Sequence, residues 1–113
     1  MNTTQNYLTR LKAMHGGASD YRAAQILGIT QQSVSQYKMG KCQLSDETAT
    51  KMASELGLDP LKVVAEVKLE TSKSRETRQL WARVLDMTNA APALALLGLA
   101  AFLPYANTTL NMI

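Results

Sequence analysis

Amide side chains dominate one short stretch of the sequence, GITQQSVSQYKMGK at residues 28–41. Val34 and Tyr37 are the apolar anchors of the helix predicted there. A glutamine carries a donor and an acceptor at the end of one side chain, so it can form two hydrogen bonds to an adenine edge in the major groove. The chemistry that this stretch offers is directional hydrogen bonding. The alternative interpretation is a polar face that only meets solvent.

Catalytic and metal-binding chemistry find little support in the sequence. The chain has one cysteine, Cys42, and one histidine, His15, whereas a structural zinc site needs about four ligands. No Ser/His/Asp set or pair of carboxylates stands out. We therefore expect no enzyme activity, no metal and no cofactor. A single cysteine also excludes an internal disulfide, which fits a reducing cytoplasm, and the N-terminus lacks the basic-then-apolar order of a signal peptide.

The charge is unevenly distributed along the 113 residues, whose net charge is +3. Residues 1–44 carry five basic side chains and one acidic, a net charge of +4. Residues 45–70 carry three basic and six acidic side chains, and residues 71–113 carry four basic and two acidic. The first third is thus basic, as a surface that faces phosphate should be, although a solvated face would have the same composition.

The apolar periodicity predicts an all-α chain with no strand. Five helices are expected: Thr4–Met14, a second from Ser19 or Asp20 to Gly28, a third from the cap Thr30 to Gly40, a fourth from the cap Ser45 to Gly57, and a fifth that begins at Asp59 and Pro60. The side chains expected to face the core from the fifth helix are Leu61, Val64, Val67 and Leu69.

Residues 20–41 have the features of a helix-turn-helix, in which two short helices are joined by a turn containing glycine. The crossing needs a small residue, the turn needs a glycine, and the contact between the helices needs apolar side chains. The residues that meet these needs are Ala24, Leu27, Gly28, Ile29, Val34 and Tyr37. The alternative is an ordinary helical hairpin.

This segment resembles the helix-turn-helix of the Cro/C1-type (XRE-like) phage repressors. The resemblance covers about residues 4–69 and includes LSDETATKMASELGLDP, which is similar to the family's fourth helix and the turn after it. The third helix, TQQSVSQ, is very similar to the recognition helices of certain lambdoid phage repressors. The resemblance implies a five-helix, lambda-repressor-like domain that binds double-stranded DNA as a homodimer and regulates transcription, as a phage or prophage repressor does.

The resemblance also implies which residues meet the DNA. Gln31, Gln32 and Gln36 match base-contacting positions, and Ser35 is a weaker candidate. The candidate phosphate contacts are Ser19, Arg22, Thr30, Lys38 and Lys41, while Arg10 is either a further contact or plain surface charge. One departure from the family concerns Asp20, because the family often has glutamine there. An acid at this edge would repel phosphate unless it acts only as a helix cap.

The resemblance and the composition of the remaining residues predict three regions: a DNA-binding domain at 1–69, a polar helical extension at 70–88 and an apolar tail at 89–113. Residues 70–79 are either an exposed helical bridge or a hinge. The apolar positions of residues 80–87 either pack back on the domain or pair with a second copy of the chain. Trp81 is expected to anchor the core or an interface.

The tail is uncharged, and all 17 residues from 90 to 106 are apolar, Gly or Pro. This length is at the lower limit for crossing a bilayer. The stretch is therefore either a membrane anchor, a buried oligomerisation helix or a frayed end. As an anchor, it would tether a cytoplasmic DNA-binding part to the inner face of the cell membrane, because basic residues precede it.

A second functional hypothesis stays open at this stage. The protein could be an adaptor that does not bind DNA, or a membrane-associated phage protein, that uses its helical scaffold to bind another protein. An adaptor would tolerate alanine at Gln31 and Gln32, whereas a DNA reader would not.

Overall fold

A computed structural model describes the backbone of residues 1–98 and the side chains of residues 1–89. This part of the chain consists of six α-helices without a strand, which confirms the all-α class. The helices are α1 (Thr3–Met14), α2 (Asp20–Leu27), α3 (Gln31–Lys38), α4 (Asp46–Leu56), α5 (Pro60–Thr71) and α6 (Arg75–Gly98).

Polar caps determine where the first five helices begin. Ser19, Thr30 and Ser45 each accept a hydrogen bond from the amide three residues further on, over 3.0 to 3.2 Å. Asp59 caps α5 through the amide of Leu61. Each such cap stabilises its helix by about 1 kcal/mol. The sequence left Ser19 and Asp20 as alternative caps for α2, and the structure shows that Ser19 is the cap.

The turn between α2 and α3 is only three residues long, Gly28–Thr30. Gly28 has a φ of +69°, in the left-handed region that a glycine adopts without steric cost. The amide of Ile29 donates to the Ala24 carbonyl over 3.0 Å, which closes the end of α2. The chain can therefore enter α3 almost directly from α2.

The five helices from α1 through α5 share one hydrophobic core. Leu11, Val34, Met52 and Val63 come from four different helices, and each has 0% of its surface exposed. The other core residues are Tyr7, Leu8, Ala23, Ala24, Leu27, Tyr37, Leu44, Ala49, Ala53 and Val67. Because α2 and α3 contribute to this cluster along with their neighbours, they cannot move independently of the other helices.

The sequence prediction for the buried face of α5 was partly wrong. Leu61 is 47% exposed, while Val63 and Ala65 are fully buried. Val67 is buried as expected, and Val64 and Leu69 are half-buried. The reason is that α5 is covered on two sides. Val63 and Val67 face the core, and Ala65 lies on the opposite face, which α6 covers.

Helix α6 packs against α5 and against no other helix within the described part of the chain. A break at residues 72–74 separates the two helices, and the Ser74 hydroxyl accepts a hydrogen bond from the Thr77 amide over 3.1 Å. Residues 70–79 therefore combine the end of α5, a short break and the first turn of α6. Trp81 is half-buried, but Leu80 and Met87 are 53% and 62% exposed.

Residues 99–106 of the predicted span at 90–106 lie outside the described residues, which end at residue 98. Up to that point no helix has both the length and the apolar character that a membrane crossing requires.

The two sides of α5 give a direct test of this packing. We expect Val63→Ala to lower the free energy of unfolding by about 2 kcal/mol, because it leaves a cavity in the core. Leu61→Ala, the control on the exposed surface of the same helix, should change it by less than about 0.5 kcal/mol. Urea unfolding of both variants measures the difference. An equal loss in both would contradict the placement of α5.

Candidate nucleic-acid interface

Only two side chains of α3 enter the core. Val34 and Tyr37 are 0% and 6% exposed, while Gln31 and Gln32 are exposed. The short helix is thus held from one side, and its first turn presents two amides to solvent. Gln31 and Gln32, two of the four predicted base-reading positions, are therefore accessible to an incoming partner.

The remaining uncharged polar side chains of α3 are half-buried: Ser33, Ser35 and Gln36. Ser35 and Gln36 follow Gln31 and Gln32 by four residues each, so the four lie on adjoining parts of the helix surface. Gln36 has a contact that the sequence did not predict. Its Oε1 accepts a hydrogen bond from the Cys42 thiol over 3.8 Å. This contact is weak, and it leaves the Gln36 amide nitrogen able to donate elsewhere.

The hydroxyls of Ser19 and Thr30 are occupied as helix caps, and Thr30 also contacts the Ser33 hydroxyl over 2.9 Å. A phosphate contact at these two places would therefore involve backbone amides more than hydroxyls. The first amides of α2 and of α3 have no acceptor inside their own helix, and a helix N-terminus carries partial positive charge. Both N-termini thus offer donors to an anion.

An ion-pair cluster joins the three N-terminal helices. The Asp20 carboxylate, on α2, accepts hydrogen bonds from Lys12 on α1 and from Lys38 on α3, the latter over 3.0 Å. The bonds from Lys12 and then Lys38 hold the pKa of Asp20 below its usual value. Asp20 is therefore neither the cap nor an isolated acid, and the three groups together carry one positive charge.

This cluster changes what Lys38 can offer. Its side chain is 53% exposed but is directed to Asp20, so a phosphate would compete with that carboxylate. Arg22 and Lys41 are exposed and lie at either end of the α2–α3 segment. The candidate phosphate-facing surface therefore has two accessible cations and a third that is already paired.

Arg10, the remaining candidate, has a contact within its own helix. Its guanidinium lies over the ring of Tyr7, 5.3 Å from the centroid. The Tyr7 hydroxyl donates to Glu66 on α5, and burial, followed by this bond, raises the pKa of Tyr7. The guanidinium of Arg10 thus makes a cation–π contact on the side of α1 that meets α5, and the exposed residue stays a predicted phosphate contact or plain surface charge.

The first turn of α1 makes further contacts that sequence reasoning missed. The Gln5 Nε2 donates to the Lys38 carbonyl over 2.8 Å, at the end of α3. Thr4, which is fully buried, accepts from the Leu44 amide over 3.1 Å and donates to Gln43 over 2.5 Å. The pairing of Asn2 with Gln5 as a capping box is readable from the sequence, but the contacts 33 to 40 residues away are not.

Within the described residues, no group of three or more His, Cys, Asp or Glu side chains could hold a metal ion.

In comparisons with known proteins, no protein-family model, curated protein or solved structure matched the chain.

The Asp20 cluster predicts a dependence of stability on pH. Because the folded-state pKa of Asp20 is depressed, its contribution is present above the unfolded value of about 3.9 and is lost as the pH falls through the folded-state pKa. We expect Asp20→Asn to lower stability at pH 7 by up to about 1 kcal/mol, given that the pairs are partly exposed. Urea unfolding at several pH values should show the two proteins converging below about pH 4.

The control for that experiment is Asp86→Asn, which removes a carboxylate from the exposed surface of α6. It should leave stability near neutral pH unchanged. A constant difference between the wild type and Asp20→Asn over the whole acid range would contradict the ion-pair assignment.

Proposed function

We propose that the protein binds double-stranded DNA in a sequence-specific way and regulates transcription, with α3 as the recognition helix of a helix-turn-helix formed by α2 and α3. In this proposal residues 1–69 form a five-helix, lambda-repressor-like domain of phage or prophage origin. The observation that carries it is the exposure of Gln31 and Gln32 on a helix whose opposite side is anchored by Val34 and Tyr37. A helix used only for packing would bury more of its surface.

The exposed glutamines suit the adenine edge. Each amide can donate to one atom of adenine and accept from another, and a good bidentate pair contributes about 1–3 kcal/mol of discrimination against the wrong base. Ser35 and Gln36 extend the same surface and would meet adjoining bases or phosphates. The preferred site should therefore contain A·T pairs at the contacted steps.

Basic and backbone groups around α3 would hold the duplex. Arg22 and Lys41 are exposed, and the N-terminal amides of α2 and α3, next to Ser19 and Thr30, offer further donors. Such contacts position a protein on DNA without reading its sequence. Lys38 would join them only by exchanging Asp20 for phosphate.

Regulation would be steric in this proposal. A homodimer would occupy two half-sites and exclude other proteins from a promoter, as helix-turn-helix proteins with paired sites do. The exposed Leu80 and Met87 on α6 are compatible with contact to a second copy. The action would take place in the cytoplasm and needs no cofactor. Attachment to the membrane through residues 90–106 stays a prediction.

Selection of binding sites from random duplex DNA tests the base-reading role. We expect the wild type to enrich a paired half-site and the Gln31→Ala/Gln32→Ala variant to lose at least about tenfold in preference for it, because both amides are removed. Gln79→Ala, an exposed amide on α6, is the control and should enrich the same sequence as the wild type. An unchanged preference in the double variant would favour the adaptor hypothesis.

Salt dependence tests the phosphate contacts separately. We expect Arg22→Ala and Lys41→Ala each to weaken binding to all sequences about equally and to reduce the slope of log affinity against log salt by about 1. Asp20→Asn should strengthen binding to all sequences, because it frees Lys38 and removes a negative charge. Fluorescence anisotropy at several salt concentrations provides the measurement. Weaker binding by Asp20→Asn would contradict this assignment.

A further inference from the structure

One side-chain amide connects the beginning of α1 to the end of α3. The Gln5 Oε1 accepts a hydrogen bond from the Asn2 amide over 2.9 Å, and its Nε2 donates to the Lys38 carbonyl over 2.8 Å. The Asn2 side chain in turn accepts from the Gln5 amide over 2.8 Å. Gln5 is therefore fixed at its backbone and at its side-chain oxygen, which aims its amide nitrogen at α3.

The acceptor in this contact is a group that the helix itself cannot satisfy. The last carbonyls of an α-helix have no amide of their own helix to bond. The carbonyls of Ser35, Gln36 and Tyr37 accept amides from residues 39–41, whereas the Lys38 carbonyl accepts from Gln5. Gln5 thus provides from another helix the partner that the end of α3 requires.

Gly40, in the turn after α3, lies beside this amide. Gly40 has a φ of +73°, and a Cβ at that position would lie 3.4 Å from the Gln5 Nε2. A side chain at residue 40 would therefore meet the amide that bonds α3, and glycine leaves that space free.

The position of this contact along α3 matters for base reading. Gln31 and Lys38 are the first and last residues of the helix, about 10 Å apart at 1.5 Å per residue. Between them only Val34 and Tyr37 enter the core. Lys38 directly follows Tyr37, so the bond from Gln5 adds a directional contact at the end of α3 that Tyr37 anchors. A fixed end limits how the helix axis can tilt, and so limits how Gln31 and Gln32 are aimed.

We propose that Gln5 is a positioning residue of the interface, which fixes the tilt of α3 through the Lys38 carbonyl and thereby sets how well the helix discriminates between DNA sequences. This inference rests on the proposed function. Gln5 is itself a neutral residue on α1, so its loss should affect discrimination and leave the attraction to phosphate in place. Bidentate contacts tolerate displacements of only about 0.5 Å, which makes discrimination the sensitive quantity.

The test uses the full chain and two substitutions at one position. Gln5→Met keeps a side chain of similar length and loses both hydrogen bonds. Gln5→Glu keeps the oxygen that accepts from Asn2 but has no amide nitrogen for Lys38. For each protein the dissociation constants are measured for the site selected by the wild type and for an unrelated duplex of equal length, at one salt concentration.

We expect the ratio of the two constants to fall about tenfold in both variants, the equivalent of weakening one bidentate base contact. Binding of Gln5→Met to the unrelated duplex should stay within about twofold of the wild type, because no charge has changed. The added charge of Gln5→Glu should weaken both complexes equally and cancel in the ratio. Should Gln5→Met fail to fold, as judged by circular dichroism, Gln5→Glu carries the test, since it retains the cap of α1.

Ser45→Ala is the matched control for a loss of stability. It removes the cap of α4 and leaves α3 untouched, so its ratio should equal that of the wild type. A fall in that ratio as large as in the Gln5 variants would overturn the positioning role. An unchanged ratio in both Gln5 variants would also overturn it while the proposed function stands. If the wild type itself shows no preference, the proposed function and this inference are both overturned.

Discussion

The recognition helix proposed here is held by very little apolar surface, and this constraint explains much of the surrounding structure. Val34 and Tyr37 are its only buried side chains. An isolated helix of eight residues is unstable in water, because nucleation costs more than a few hydrogen bonds return. A helix that keeps its polar side chains outward must therefore be stabilised by its neighbours. Thr30 does so at one end and Gln5 at the other, and Asp20 ties the last turn to α2.

The first turn of α1 brings most of these supports together. Three consecutive residues there bond three different parts of the chain. The Thr3 amide donates to the Glu70 carboxylate near the end of α5 over 3.1 Å, Thr4 holds the segment between α3 and α4, and Gln5 holds α3. Because Thr4 is fully buried and both of its hydrogen bonds are made, it is a polar residue that adds no unsatisfied group to the core.

What the sequence predicts well is local. Caps such as Ser19, Thr30 and Ser45 act within three residues, so they can be read directly and they set the start of each helix. The face of α5 could not be read in the same way, because α6 covers Ala65 and shifts the buried surface away from Leu61.

The ion pairs of Asp20 join residues 8 and 18 positions apart in the sequence, and the hydrogen bond from Gln5 joins residues 33 positions apart. Contacts at such separations depend on how the helices pack, and no pattern in a single sequence records them. The exposed glutamines were predictable because two apolar residues three apart already define the buried side of α3.

The charge pattern of the chain adds a further constraint on how DNA could approach. The basic surplus lies in residues 1–44, which contain α1 to α3, while residues 45–70, which contain α4 and all but the last residue of α5, carry a net charge of −3. In the proposed function, a duplex would be attracted to the first group and repelled by the second, which would favour encounters through α1 to α3 before any base is contacted. Pairing Asp20 with Lys12 and Lys38 limits the positive potential on the attractive side. In the proposed function this restraint would help the protein to leave wrong sequences quickly, because attraction to phosphate is the same at every site, whereas base contacts by Gln31 and Gln32 would differ from site to site. The same arrangement would thus lower the general affinity for DNA and leave sequence discrimination to α3, the short helix that α1 holds in place.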